Sequence, residues 1–294
     1  MNSAVDPMRF GWLADQRLAW NALADTARSV ERLGYDSLWM SDHFRDERGG
    51  WLLDAWTSLG ATLACVPRIE AGLLVASDTL RPSLVTVQMA KTLTEIGAGR
   101  FVLGLGAGGS RRDHLAAGVD FPPLDDRVAA LESTCRLLRS THARDTAGTA
   151  GRSAWHRDDS PVTLLLGGAS GAILRLAGRY ADRWVVWGSP DKLAALGAEV
   201  SRHARDAGRE PRDVRRGAIV MLLPEHLSEC ADSSPWPAEL RGGRVLVERQ
   251  VARYRAAGVH DLVVCDYGLQ PADRPAALKW FAAVMAPFQE PSSQ

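Results

Sequence analysis

The chain has 294 residues, 46% of them hydrophobic and 24% charged, enough to bury a substantial core in one large α/β barrel or two smaller domains. Thirty-five Lys plus Arg balance thirty-five Asp plus Glu, and this formal charge of zero gives no reason to expect nucleic acid or an anionic membrane as a partner. Cys65, Cys135, Cys230 and Cys265 lie far apart with no CxxC pair, which argues against a disulfide framework or a zinc site and for reduced, buried thiols.

In chain order, Met1–Pro7 lacks a basic region followed by an apolar run, so no signal peptide is expected. No stretch is long and apolar enough to span a membrane either, and a cytoplasmic protein is the expectation. From there, short β-rich apolar runs alternate with stretches of helical spacing. Strands are expected at Met8–Ala14, Asp36–Met40, Ile69–Ala76, Phe101–Gly106, Val162–Leu166, Arg183–Trp187, Gly217–Leu222 and Asp261–Cys265, eight in all. Between them, Leu23, Ala27, Val30 and Leu33 mark a first helix that stops at Gly34. Leu59 and Leu63, then Leu84, Val87 and Leu93, then Leu131, Cys135 and Leu138, then Leu174 and Ala177 mark others. Val247, Val251 and Tyr254 lead to a stop at Ala257-Gly258. Continuous apolar strands alternating with amphipathic helices imply a parallel sheet covered on its outer face. Eight such units favour a closed (β/α)8 TIM barrel, a single domain over residues 1–294. Ser140–Ser160 and Glu225–Gly243 read as loops, and Pro287–Gln294 as a frayed end.

In such a barrel the chemistry sits where strands give way to helices. The second strand runs into Ser41-Asp42-His43-Phe44, an acid and an imidazole side by side. Histidine exchanges protons near neutral pH, and a neighbouring carboxylate orients its ring. The competing reading makes Asp42 a turn cap and His43 an ordinary loop residue. The fourth strand enters Gly104-Leu105-Gly106-Ala107-Gly108-Gly109-Ser110-Arg111-Arg112, a GxGxxG match with Asp125 beyond. A dinucleotide fingerprint needs a strand soon after the helix, with the acid at its end. Here the next strand waits until Val162, so the glycines are better read as allowing close approach of a planar ligand. Arg111 and Arg112 fit a solvated helix start better than an anion site. The fifth strand ends in Gly167-Gly168-Ala169-Ser170-Gly171 directly before a helix, a cradle of backbone N–H groups suited to phosphate. Trp12 and Trp187, near strand ends, are read as core residues before pocket walls.

Several of these segments together resemble one family. Gly34–Trp39 with Ser41–Phe44, Lys91–Gly108, Asp120–Leu124 and Leu165–Trp184 are similar, in order and spacing, to the bacterial-luciferase-like oxidoreductases, most closely the branch that uses coenzyme F420. The resemblance covers most of residues 8–188 and returns over Val245–Val264. It implies a (β/α)8 barrel, usually a homodimer, that transfers hydride between a deazaflavin and a small-molecule substrate. FMN with reduced flavin and oxygen, fed by a separate reductase, is the alternative cofactor chemistry, and a catalytically silent flavin-binding barrel the third. Carried over, His43 becomes the acid/base and Asp42 the residue that contacts or orients the ring system. A non-proline cis peptide is implied at Leu74-Val75. Gly106, Ala107 and Gly108 would lie near the cofactor, and Gly167, Gly168 and Ala169 would hold its phosphate.

Two departures narrow the implication. The sugar-phosphate dehydrogenase branch has a glutamate where this chain has Gly109, and a tryptophan where it has Glu47. The segment between the fourth and fifth strands is also short for the family. A phosphate-binding lyase or isomerase working through a Schiff base is disfavoured, because Lys91, Lys192 and Lys279 all fall in helical stretches.

Overall fold

A computed structural model describes residues 7–146, 161–227 and 237–289. Its strands are β1 (Arg9–Leu13), β2 (Ser37–Met40), β3 (Glu70–Leu73), β4 (Ala76–Ser77), β5 (Phe101–Gly106), β6 (Thr163–Gly167), β7 (Arg183–Trp187), β8 (Arg215–Pro224), β9 (Glu239–Gly242) and β10 (Asp261–Cys265). Helices α1 (Trp20–Arg32), α2 (Ala55–Cys65), α3 (Ser83–Ile96), α4 (Arg111–Ala117) and α5 (Leu124–Thr146) fall in the first half. α6 (Gly171–Tyr180), α7 (Pro190–Asp206), α8 (Arg244–Ala256) and α9 (Arg274–Gln289) follow. Every strand pairing is parallel, in the order β1-β2-β3-β5-β6-β7-β8-β10, and β10 pairs back onto β1 with Phe10 opposite Leu262. The eight strands therefore close on themselves, and no edge is left exposed among them.

The strands hold because nearly every residue in them is buried, as in the wholly buried β2 and β5. Around them, α1 turns Leu23, Ala24, Ala27 and Val30 inward and leaves its other face to solvent. The helix starts are signalled locally. Asp54, Ser110, Ser170 and Ser189 each accept a backbone N–H of the turn they open, and Pro190 follows Ser189 at the first helical position. At the N-terminal rim of the barrel, Glu70 joins Arg183 through two hydrogen bonds of 2.8 Å and Arg9 through a contact of 2.7 Å.

Four expectations need correction. The expected third strand breaks in two, β3 and β4, around a cis peptide bond between Leu74 and Val75, and both halves pair with β5. The expected loop Glu225–Gly243 contains β9, which extends the sheet by pairing with Met221–Pro224 beyond the point where β8 leaves β7. Nothing in Glu239–Gly242 alone announces a strand; the free flank of a long β8 supplies the partner. α5 runs on through Ser140 to Thr146, since no residue there interrupts a helix, and the remainder of the expected loop lies outside the described residues. The expected frayed end is helical to Gln289, because Phe288 accepts the Met8 N–H and Gln289 donates to the Gly34 carbonyl. Among the cysteines, Cys135 and Cys265 are buried and Cys65 is exposed, while Cys230 lies outside the described residues.

Candidate active site

The residues singled out in the sequence gather at the C-terminal ends of β2, β4, β5 and β6. Past the cis bond, Val75 spreads its two methyl groups toward the neighbouring strand ends. A Cβ on Gly106 would stand 2.9 Å from one methyl, and a Cβ on Gly167 2.8 Å from the other. Only glycine admits this packing, so Val75, Gly106 and Gly167 form one floor. Leu74 is buried and donates its N–H to the Met40 carbonyl, which ties that floor to β2.

Gly108 stands at the rim with φ +81°, and a Cβ there would meet the Ser77 Oγ at 2.5 Å. Arg127, reaching across from α5, donates to the Gly108 carbonyl and lies 4.0 Å from the Phe121 ring centroid. Ala107 is buried beside them. The Ser77 hydroxyl oxygen is itself buried and has no hydrogen-bond partner. A buried hydroxyl without a partner is costly, and its place between Gly108 and Asp42 marks a point where a bound polar group is wanted.

At the head of α6 the backbone opens outward. Ala169, Ser170 and Gly171 are exposed, and Ser170 caps the Ile173 N–H. Gly168 is not part of the open cradle in the same sense. Its N–H is used by the Val185 carbonyl at 3.1 Å and its carbonyl by Trp184 Nε1 at 2.8 Å. The first-turn N–H groups of Gly171 and Ala172 have no carbonyl one turn back, which leaves them available to an anion.

Asp42 and His43, adjacent in the chain, take different partners. Asp42 is buried, receives both guanidinium nitrogens of Arg81 at 2.6 and 2.9 Å, and accepts the Ser77 N–H at 3.3 Å. His43 is half exposed, with its Nδ1 2.6 Å from the Oδ2 of Asp113 on α4. Burial alone would raise the Asp113 carboxyl, but hydrogen bonds from His43 and Ser110 outweigh it and hold Asp113 below the usual carboxylate range. Gly109 has open space around it, so the carboxylate facing His43 is provided one helical turn further on. Asp113, Arg81 and Arg127 escaped the sequence reading. For Asp113 the usable signal was Ser110 three positions earlier, the spacing of a capped helix start.

A second polar group lies across the mouth, past β1 and β10. Arg274 pairs with the buried Asp15, which also receives Arg17 Nε at 2.7 Å. Burial pushes the nearby Asp266 carboxyl up to about 6, partly offset by Arg274. Beside this group, Glu225, His226, Gly268, Gln270 and Asp273 line a cavity of about 500 Å³. Trp12 is core, edge-on to Tyr35, and Trp187 is half-buried. Arg112 donates to the Arg45 carbonyl at 2.8 Å. Among the described residues, no group of three or more His, Cys, Asp or Glu could hold a metal ion.

A closed parallel barrel with a glycine floor, an open helix N-terminus and a half-exposed imidazole on its C-terminal face defines the class of barrel enzymes that act on small ligands. Residues 8–244 match the family model for luciferase-like monooxygenases, and the chain belongs to that family. It is 30% identical to an F420-dependent glucose-6-phosphate dehydrogenase of Kineococcus radiotolerans, over 87% of this chain and 77% of that one. It is 25% identical to a 5,10-methylenetetrahydromethanopterin reductase of Methanolobus tindarius, over 85% and 72% respectively. An F420-dependent secondary alcohol dehydrogenase, solved with an F420–acetone adduct, shares the fold with a TM-score of 0.78 at 16% identity, covering 97% of this chain and 99% of that one.

Proposed function

We propose that this protein is a coenzyme F420-dependent oxidoreductase that moves a hydride between the deazaflavin and a small organic substrate. The observation that carries the reading is the half-exposed His43 beside a floor of Val75, Gly106 and Gly167 on which no additional Cβ fits. The Kineococcus relative, named as F420-dependent, supports the same cofactor. When bound, the deazaflavin would accept or donate the hydride.

The residues present suit a flat ring with a phosphate on its side chain. The ring would rest on Val75 with Leu74, Gly106, Ala107 and Gly108 around it, and the unpartnered Ser77 hydroxyl offers it a hydrogen bond. Gly167, Gly168 and Ala169 lead the chain into the α6 N-terminus, which would take the phosphate. Asp42, locked to Arg81, would shape the wall beside the ring. His43 would take the proton of a substrate hydroxyl, or return one to a carbonyl.

Titration of the purified protein with F420 and with FMN, followed by turnover assays on small alcohols, tests this. Binding of F420 and loss of turnover in His43→Ala with coenzyme binding kept are the expected results. Binding of FMN alone would overturn the F420 reading in favour of an FMN-dependent monooxygenase served by a separate reductase. Coenzyme binding without turnover of any hydride donor or acceptor would favour a silent flavin-binding barrel.

The active form is read as a cytoplasmic homodimer. Leu84 and Val85 in the first turn of α3 and Leu124 at the head of α5 are exposed apolar residues that self-association would cover. Among the described residues, no helix is long and apolar enough to cross a membrane. Sedimentation of the wild type and of Leu84→Glu would separate dimer from monomer.

A further inference from the structure

A half-exposed imidazole turns freely about its side-chain bonds unless something holds it, and here a single buried carboxylate does so. Asp113 is 3% exposed at its side chain and meets His43 Nδ1 at 2.6 Å, although the two residues are 70 positions apart. The Phe44 backbone N–H lies near enough to help hold that carboxyl below the usual range. α4 is pinned on either side of this contact. Arg112 donates to the Arg45 carbonyl at 2.8 Å, and the Asp113 N–H is capped by Ser110 Oγ at 3.2 Å. His114, fully buried, lies 2.7 Å from the Thr79 hydroxyl and 2.8 Å from the Ser110 carbonyl.

An ionised carboxylate only accepts hydrogen bonds, so the nitrogen facing it must carry the proton. Nδ1 of His43 is therefore the N–H, and Nε2 keeps its lone pair. We infer that Asp113 is the positioning residue of His43: it selects the tautomer in which Nε2 is the proton acceptor and holds the ring while charge develops on it. This rests on the reading of His43 as the acid/base. In the oxidative direction, the substrate C–H bond gives its hydrogen and both electrons to the oxidised deazaflavin. The hydroxyl proton passes to Nε2 and the C–O bond becomes a carbonyl. The imidazolium so formed stands against the Asp113 carboxylate, which stabilises it. In the reductive direction the same imidazolium returns the proton. Asp42, the sequence neighbour of His43, is occupied by Arg81 and leaves this task to Asp113.

The test is the tautomer itself, read without turnover. With 15N-labelled histidine and long-range 1H–15N correlation, His43 is identified by the signals lost in His43→Ala. The wild type should show a protonated Nδ1 and a bare Nε2 at mildly alkaline pH, and Asp113→Asn should lose that preference. In the same variant, kcat should fall by about 10²-fold or more, while KM and the F420 dissociation constant stay within about twofold. Asp113→Glu, which restores the charge, should recover the Nδ1–H tautomer and part of kcat, and serves if the asparagine variant folds poorly. An unchanged tautomer or an unchanged kcat in Asp113→Asn overturns the inference. Full turnover in His43→Ala would instead remove the acid/base reading of His43, while the tautomer signals still report whether Asp113 sets the ring.

Discussion

Arg81 lays its two guanidinium nitrogens against the two carboxylate oxygens of Asp42, at 2.6 and 2.9 Å, across 39 residues of chain. The pair joins the end of β2 to the segment after β4, two of the segments that meet at the site. Asp42 is nearly inaccessible and Arg81 mostly so, and both charges depend on each other for compensation. Asp42→Ala should therefore cost about 3 kcal/mol in urea unfolding, since it strands a buried guanidinium. Asp42→Ala combined with Arg81→Met should recover part of that loss. A double variant no more stable than the single would show the two residues to be uncoupled.

Gly108 should tolerate no side chain. Its φ of +81° is unfavourable for alanine, and the new Cβ would meet Ser77 Oγ at 2.5 Å. Gly108→Ala is expected to lose about 1–3 kcal/mol of stability and to weaken F420 binding measurably. Fluorescence titration with the coenzyme checks the second part, and unchanged affinity would place the coenzyme away from this rim.

Asp78, buried behind the site, has one carboxylate oxygen without a partner, and burial pushes its pKa up to about 6, with Thr134 pulling slightly the other way. A carboxyl raised on folding contributes stability while protonated, and that contribution is lost as pH rises from about 4 through 6. Asp78→Asn removes the penalty. It should be more stable than the wild type by about 1–3 kcal/mol at pH 7 to 8, with the gain fading toward pH 4. Melting curves of both proteins across that range would show it, and a constant difference would count against the assignment.

Glu70 makes the opposite case at the far rim. Burial would raise its carboxyl, yet Arg183 and Arg9 more than compensate and hold it below the usual carboxylate range. Its contribution is thus present above the unfolded pKa and lost as pH falls through the lowered folded value. Glu70→Gln should lose about 2–4 kcal/mol near neutral pH and flatten this share of the acid transition. Turnover at saturating substrate should remain, because Glu70 stands at the end of the barrel away from the site. A variant that folds well but does not turn over would contradict that separation.

Much of the architecture was legible because it rests on local periodicity. Runs such as Phe101–Gly106, and Arg183–Trp187 after its first residue, are apolar, which suits a strand covered on both faces, and their boundaries match the observed strands. β9 was not legible, since Glu239–Gly242 becomes a strand only because β8 outruns β7 and leaves a flank to pair with. The helical extension at Pro287–Gln289 likewise depends on contacts with Met8 and Gly34, near the other end of the chain.

The sequence by itself determined the eight-unit parallel barrel, the glycine-rich ends of β5 and β6, and the placing of Asp42-His43 at a strand end. Each of these follows from apolar spacing or from residue types that act within a few positions of one another. Only the tertiary structure decided which carboxylate faces the imidazole. Adjacent loop residues point their side chains in directions that the chain order does not specify, so Asp42 turns to Arg81 and His43 to Asp113. Those partners come from segments brought to one rim by barrel closure and by the short, serine-capped α4, and that placement sets a carboxylate against an imidazole 70 positions away in the chain.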